Sequence, residues 1–130
     1  MKPLKIDATF NTPKLDFDPG KGYLLIEGRS IPENPGQFYE LIFEWLNDYY
    51  SNPKDETTVE IKLEYVNSGS SKYILEFLRS VSNYHNEGKN SAVHWYFEEE
   101  DESIEELGEH FEDLVQVPFF FHVIEEDEDE

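Results

Sequence analysis

The sequence contains no cysteine among its 130 residues. Disulfides, thiolate nucleophiles and cysteine-based zinc or iron–sulfur sites are therefore excluded. Basic residues are also scarce, since 10 Lys and Arg stand against 30 Asp and Glu, for a formal net charge of −20. Because phosphate binding needs clusters of Lys and Arg, this balance disfavours nucleic acids and anionic membranes as partners and favours a protein with a basic surface.

Long apolar runs are missing as well. No stretch approaches the roughly 20 apolar residues that span a membrane, and the N-terminus, Met1–Lys5, lacks the apolar segment of an export signal. We therefore expect a cytoplasmic protein. The length and the 15% aromatic content suit one domain around a single core.

The apolar spacing predicts an α/β domain. A β-hairpin is expected from Lys14 to Glu27, then helices near residues 38–50, 70–88 and 103–115, and strands near 58–66, 92–97 and 119–124. Helices between successive strands imply parallel crossovers, so we expect a mixed sheet of about five strands with the helices mainly on one face. The domain is expected to span residues 1–124, and the all-acidic residues 125–130 to form a disordered tail.

Two local patterns are informative within these helices. Tyr39, Phe43 and Tyr50 lie off the main apolar stripe of the first helix and suit either an exposed contact patch or a thicker core. Ser103 and Glu106 have the spacing of a capping box, so we expect the third helix to be capped by Ser103.

The turn Asn67–Ser71 joins a predicted strand to the second helix. In a parallel strand-turn-helix unit this turn lies at the carboxyl edge of the sheet, beside the positive end of the helix dipole. Ser68, Ser70 and Ser71 would offer their hydroxyls to a kinase there. The same residue types are also common in turns and helix caps, and composition does not separate the two roles.

Two segments resemble the paired signature of the SiaC-type regulatory phosphoproteins. They are Tyr-Val-Asn-Ser-Gly-Ser-Ser-Lys at residues 65–72 and Gly-Arg-Ser-Ile-Pro-Glu-Asn at residues 28–34, and the resemblance runs from Thr12 through the last strand. Such proteins are similar in architecture to the STAS-like domains of anti-sigma factor antagonists. The resemblance implies phosphorylation of the residue that follows an Asn or Asp at this turn. Here that residue is Ser68, where the SiaC pattern has Thr, with Ser70 and Ser71 as rival acceptors.

The resemblance also implies a partner-switching circuit. The unmodified protein would bind and activate a diguanylate cyclase, and a dedicated Ser/Thr kinase and a phosphatase would set the phosphorylated fraction. We expect the start of the second helix, with Asn67, Gly69 and Lys72, to surround and stabilise the phosphate. A further candidate contact surface is the 28–34 loop, which also suits a proline-fixed turn. Its candidate residues are Arg29, Ser30, Pro32, Glu33 and Asn34.

No recognisable catalytic motif is present. Without cysteine, nucleophilic catalysis needs a Ser or Thr beside a histidine, and none of His85, His94, His110 and His122 lies in such a motif. We therefore predict a protein that is not an enzyme and has no cofactor or metal. The alternative is a metal-dependent enzyme or ion-binding protein that uses the carboxylates of Glu98–Glu106, although dense surface acid is usually only solvated. The charge also permits an acidic mimic of nucleic acid.

Overall fold

Strands and helices alternate along most of the chain and build one mixed sheet with strand order β1-β2-β3-β4-β5-β6. The structure is a computed structural model in which residues 1–125 are described. The strands are β1 (Leu4–Ile6), β2 (Lys14–Asp18), β3 (Tyr23–Ser30), β4 (Thr57–Val66), β5 (Ser91–Glu98) and β6 (Phe119–Ile124). The helices are α1 (Pro35–Tyr50), α2 (Ser68–Asn86) and α3 (Glu102–Glu112).

The pairing of the strands follows from the length of their connections. Strands β1, β2 and β3 are antiparallel and joined by short connections, whereas β3, β4, β5 and β6 are parallel, with one helix in each crossover. The register shifts between Gly28 and Arg29, where β3 pairs with β4. Gly28 has φ +122 there, a conformation that residues with a Cβ rarely adopt. The irregularity directs Arg29 towards Tyr65 of β4.

All three helices cover the same face of the sheet. Their apolar stripes join alternate residues of β2, β3, β4 and β5 in one core cluster, which confirms the predicted layering. The strand contribution includes Phe17, Ile26, Ile61 and Trp95, and the helix contribution includes Ile42, Phe77, Leu78 and Phe111. The opposite face stays open and carries the half-buried polar residues Glu60, Lys62 and His94.

Three buried tyrosines of α1 fix the helix to the sheet through their hydroxyls. The Oη atoms of Tyr39, Tyr49 and Tyr50 lie 2.6, 2.8 and 2.8 Å from the hydroxyl oxygens of Ser30, Thr57 and Ser91, respectively. Burial raises the pKa of Tyr39 and of Tyr50 to about 12. The aromatic residues off the α1 stripe are therefore core residues at Tyr39 and Tyr50, and not an exposed patch.

Several predicted boundaries are corrected. The three-residue β1 was not predicted, and β3 continues to Ser30 because it pairs with β4 beyond the Gly28 irregularity. Asp101, and not Ser103, caps α3, since its carboxylate accepts a hydrogen bond from the amide of Ile104 at 3.0 Å. The helix ends at Glu112, which leaves Leu114 outside it and exposed. The predicted disordered tail lies outside the described residues, apart from Glu125.

Among residues 1–125, no helix combines the length and the apolar character that crossing a bilayer requires.

Candidate functional site

Ser68 stands at the first position of α2, directly after β4. Asn67 has extended backbone dihedrals, φ −88 and ψ 170, and its side-chain oxygen accepts a hydrogen bond from the amide of Ser70 at 2.9 Å. This cap ends the strand and starts the helix within one residue. As a result, the side chain of Ser68 faces solvent at the carboxyl edge of the sheet.

The two rival serines are placed differently. Ser70 is 0% exposed, and its hydroxyl oxygen has no hydrogen-bond partner within residues 1–125. A kinase therefore has no access to Ser70 in the folded domain. The hydroxyl of Ser71 donates to the carbonyl of Ser68 at 3.2 Å, and the residue is half-buried. Of the three, Ser68 presents the most accessible hydroxyl.

Ser68 lines a cleft of about 380 Å³ between the starts of α2 and α3. Tyr65, Val66, Ile104 and Leu107 supply its apolar lining. Its polar lining comes from Glu64, Asn67, Ser68, Ser71, Asp101 and Ser103. The cleft thus combines an apolar surface, two carboxylates and the exposed hydroxyl.

Next to this cleft, the half-buried Arg29 stacks with two exposed aromatic rings. The Arg29 guanidinium carbon lies 4.5 Å from the ring centre of Phe10 and 5.6 Å from that of Tyr65, and its Nε donates to the carbonyl of Phe10 at 3.1 Å. Phe10 and Tyr65 are 73% and 49% exposed. Because Tyr65 also lines the cleft, the stack connects the 28–34 loop to the surroundings of Ser68.

The other predicted contact residues of the 28–34 loop divide into two groups. Ser30 is fully buried against Tyr39, and Pro32 is buried as well, so the structure does not support a direct partner contact for either. Glu33 and Asn34 are exposed, although the Asn34 side chain is engaged as the cap of α1. Of these four residues, only Glu33 and Asn34 are accessible to a partner.

Gly69 and Lys72 are the second and fifth residues of α2. Both are exposed. The Lys72 ammonium nitrogen lies 5.4 Å from the ring centre of Tyr73, and Lys72 does not belong to the cleft lining. The immediate charged neighbours of the Ser68 cleft are therefore the carboxylates of Glu64 and Asp101.

Sequence reasoning missed Phe10, Tyr65 and Leu107 as parts of this surface. Phe10 lies in the segment before β2 and reaches Arg29 only through the fold. Tyr65 continues the alternation of Val59, Ile61 and Leu63, which by itself predicts a buried side chain, whereas the register shift turns it outward. The one available signal was the isolated aromatic residue Phe10 in a polar stretch.

The histidines and carboxylates of the described residues are not arranged as a metal site. On the open sheet face, His94 Nδ1 and His122 Nε2 lie 2.8 Å apart, and burial, followed by the proximity of His122, lowers the pKa of His94. Within residues 1–125, no three His, Asp or Glu side chains are arranged to hold a metal ion. The metal-dependent alternative based on Glu98–Glu106 is thus not supported.

Known proteins match this chain in sequence and in fold. The model of the SiaC family regulatory phosphoproteins matches residues 6–124. The chain belongs to the SiaC family. It superimposes on SiaC of Pseudomonas aeruginosa with a TM-score of 0.88 at 24% identity, covering 95% of this chain and 100% of that one. The family resemblance and the α/β fold are confirmed.

Two further relatives come from the same species. The crystal structure of the diguanylate cyclase SiaD in complex with its activator SiaC, from Pseudomonas aeruginosa, matches with a TM-score of 0.88 at 25% identity, covering 93% of this chain and 99% of that chain. An uncharacterized protein of Pseudomonas aeruginosa strain UCBPP-PA14 is 26% identical over 119 residues, 92% of this chain and 94% of that protein. The SiaC family assignment makes this chain a regulatory protein, whereas its likeness to STAS domains stays a prediction.

Proposed function

We propose that the unmodified protein binds a signalling enzyme at the cleft beside Ser68 and that phosphorylation of Ser68 releases it. SiaC of Pseudomonas aeruginosa is the activator of the diguanylate cyclase SiaD, so a diguanylate cyclase is the proposed partner. The observation that carries the proposal is the exposed hydroxyl of Ser68 on the lining of a partly apolar cleft. The chain itself would act in the cytoplasm without catalysing a reaction.

The composition of the cleft explains how the unmodified form would bind. Tyr65 is half-exposed and Leu107 is only partly buried, so an apolar side chain of the partner would remove both from water. The adjoining Arg29 stack extends the surface with two exposed aromatic rings. The net charge of −20 would speed the encounter with a basic partner surface.

A phosphate on Ser68 would reverse this preference. It brings a charge of about −1.5 to −2 to a cleft that already contains Glu64 and Asp101. The first amides of α2 would partly compensate this charge, so the domain is expected to stay folded. A docked apolar group would instead have to desolvate the phosphate, which strongly opposes the complex.

Phosphoryl transfer provides the first test. Incubated with its cognate Ser/Thr kinase and ATP, the wild-type protein should gain one phosphate, measured by intact-protein mass spectrometry, and Ser68→Ala should gain none. Ser103→Ala is the matched control, because Ser103 is another exposed hydroxyl of the same cleft. The control should be phosphorylated like the wild type. Full phosphorylation of Ser68→Ala would show that the acceptor is another residue.

Partner binding provides the second test. Ser68→Ala should bind the cyclase as the wild type does, whereas Ser68→Asp should bind at least about tenfold more weakly, because it places a charge on the interface. Affinities are measured by calorimetry with the purified cyclase. Equal affinity of the two variants would contradict release by charge at the cleft.

A further inference from the structure

The strand β6 leaves one edge of the sheet open. Within residues 1–125 it pairs only with β5. The carbonyls of Pro118 and Ile124 accept hydrogen bonds from the β5 side. The N–H and C=O groups of one strand residue point to the same side, and the side alternates from each residue to the next. Since Pro118 and Ile124 face β5, the odd-numbered residues of β6 direct their N–H and C=O groups away from β5. These residues are Phe119, Phe121 and Val123.

This edge lacks the features by which proteins usually protect an open strand. Charged residues, prolines, bulges and very short strands are the common protections. The opposite edge, β1, has three residues and includes Lys5. In contrast, β6 has six residues, Phe-Phe-Phe-His-Val-Ile, without Asp, Glu, Lys, Arg or Pro. Phe120 and Val123 are 48% and 52% exposed. As far as residues 1–125 are concerned, this edge is therefore able to pair with a further strand.

We propose that β6 accepts an extended segment of a partner protein whose pairing residues are flanked by Lys or Arg. The charge distribution selects this occupant. Strand β6 leads into the acidic residues 125–130, and the end of β5 leads into the acidic residues 98–102. A basic flank is attracted to these residues, whereas a second copy brings a further net charge of −20 and is repelled.

This surface is distinct from the Ser68 cleft. No β6 residue belongs to the cleft lining, which comes from residues 64–71 and 101–107. Backbone hydrogen bonds would supply affinity at β6, with alternate side chains selecting the sequence. The chain would then hold one partner at its edge while phosphorylation governs another at the cleft.

A synthetic peptide tests the edge directly. The probe has six alternating Val and Thr residues between pairs of lysines and carries a fluorophore, and binding is followed by fluorescence anisotropy at low salt. Val123→Pro removes an outward N–H, which an edge strand tolerates, and should weaken binding about tenfold. The matched control Val123→Ala keeps the N–H and should stay within about threefold of the wild type. Thermal unfolding verifies that both variants are folded.

Modified peptides make the test independent of how the variants fold. Methylation of alternate backbone nitrogens of the peptide, or replacement of its lysines by glutamates, should each weaken binding to the wild type about tenfold or more. Equal binding of either modified peptide, or of folded Val123→Pro and Val123→Ala, overturns the proposal. A wild-type dimer that Val123→Pro dissociates would assign the edge to a second copy and overturn it too. Ser68→Asp should bind the peptide normally, which separates this test from the cleft.

Discussion

Helices α2 and α3 begin at the same edge of the sheet and line the same cleft, but their first turns are built differently. The first turn of α2 contains no acidic residue. The first turn of α3 contains Glu102 and Glu105 behind its cap Asp101. A helix N-terminus favours negative charge. The start of α3 already carries such charges, whereas the start of α2 carries none. A phosphate at Ser68 would add the negative charge that the first turn of α2 lacks.

The two helix starts also differ in how they are held. The indole nitrogen of the buried Trp95 donates a hydrogen bond to the carbonyl of Ile104 at 3.0 Å, and Gly108 lies directly on the indole ring. The start of α2 relies on the Asn67 cap, and a Cβ at Gly69 would make only an ordinary contact with the Asn67 side chain. The α3 side of the cleft is thus packed closely on the core, whereas the α2 side leaves Ser68 exposed.

The largest expected effect follows from the contact between α3 and Trp95. A Cβ at Gly108 would overlap the indole ring of Trp95 at its nitrogen. Gly108→Ala should therefore lower the free energy of unfolding by about 1–2 kcal/mol, even after the gain in helix propensity. Gly69→Ala is the matched control, because its Cβ would meet only the Asn67 side chain at 3.7 Å. Urea unfolding followed by tryptophan fluorescence compares the two.

The two substitutions should differ clearly in the free energy of unfolding. Gly69→Ala should leave the free energy of unfolding unchanged or slightly higher. If Gly108→Ala were as stable as the wild type, close packing on Trp95 would not hold α3 in place. The contrast between α2 and α3 would then fail.

The second-largest expected effect concerns the N-cap residues of α2 and α3. Asn67→Ala and Asp101→Ala each remove one side-chain acceptor, from the amides of Ser70 and Ile104, and each should cost about 1 kcal/mol of stability in urea unfolding. Only Asn67→Ala should also slow phosphorylation, since Asn67 fixes the turn that presents Ser68. Equal phosphorylation rates for the two variants, measured by mass spectrometry, would show that the cap does not contribute to kinase recognition.

The fold could be predicted largely from periodicity. The alternation of β4 and the apolar stripe of α2 are long enough to identify both elements, and the turn between them carries its own cap residues. Strand β1 was missed because three residues give no measurable alternation. The capping-box spacing predicts Ser103 as the α3 cap, whereas Asp101, one of several acidic residues in the run before it, performs that role.

The site could be predicted only in part. The position of Ser68 follows from local order, namely strand, Asn and helix. The burial of Ser30 depends on its contact with Tyr39 across the crossover, and the exposure of Tyr65 depends on a register shift in the sheet. Local spacing contains neither piece of information. The apolar part of the cleft also joins β4 to α3 and exists only once both are packed.

The smallest expected effect on stability is the most informative about the proposed release of the partner by phosphorylation. Ser68→Asp adds an acid to a helix start that has none, so the attraction of the dipole and the repulsion by Glu64 and Asp101 should nearly cancel. The free energy of unfolding should stay within about 0.5 kcal/mol of the wild type. Ser103→Asp adds a negative charge to the already acidic first turn of α3. This variant should be less stable than the wild type by a few tenths of a kcal/mol.

These two variants are compared in urea at low and at high salt, since screening should bring both closer to the wild type. If Ser68→Asp lost more than about 1 kcal/mol, the modified domain would release its partner by loosening the start of α2. Stability equal to the wild type, together with a weakened complex, requires that the added charge acts at the interface itself.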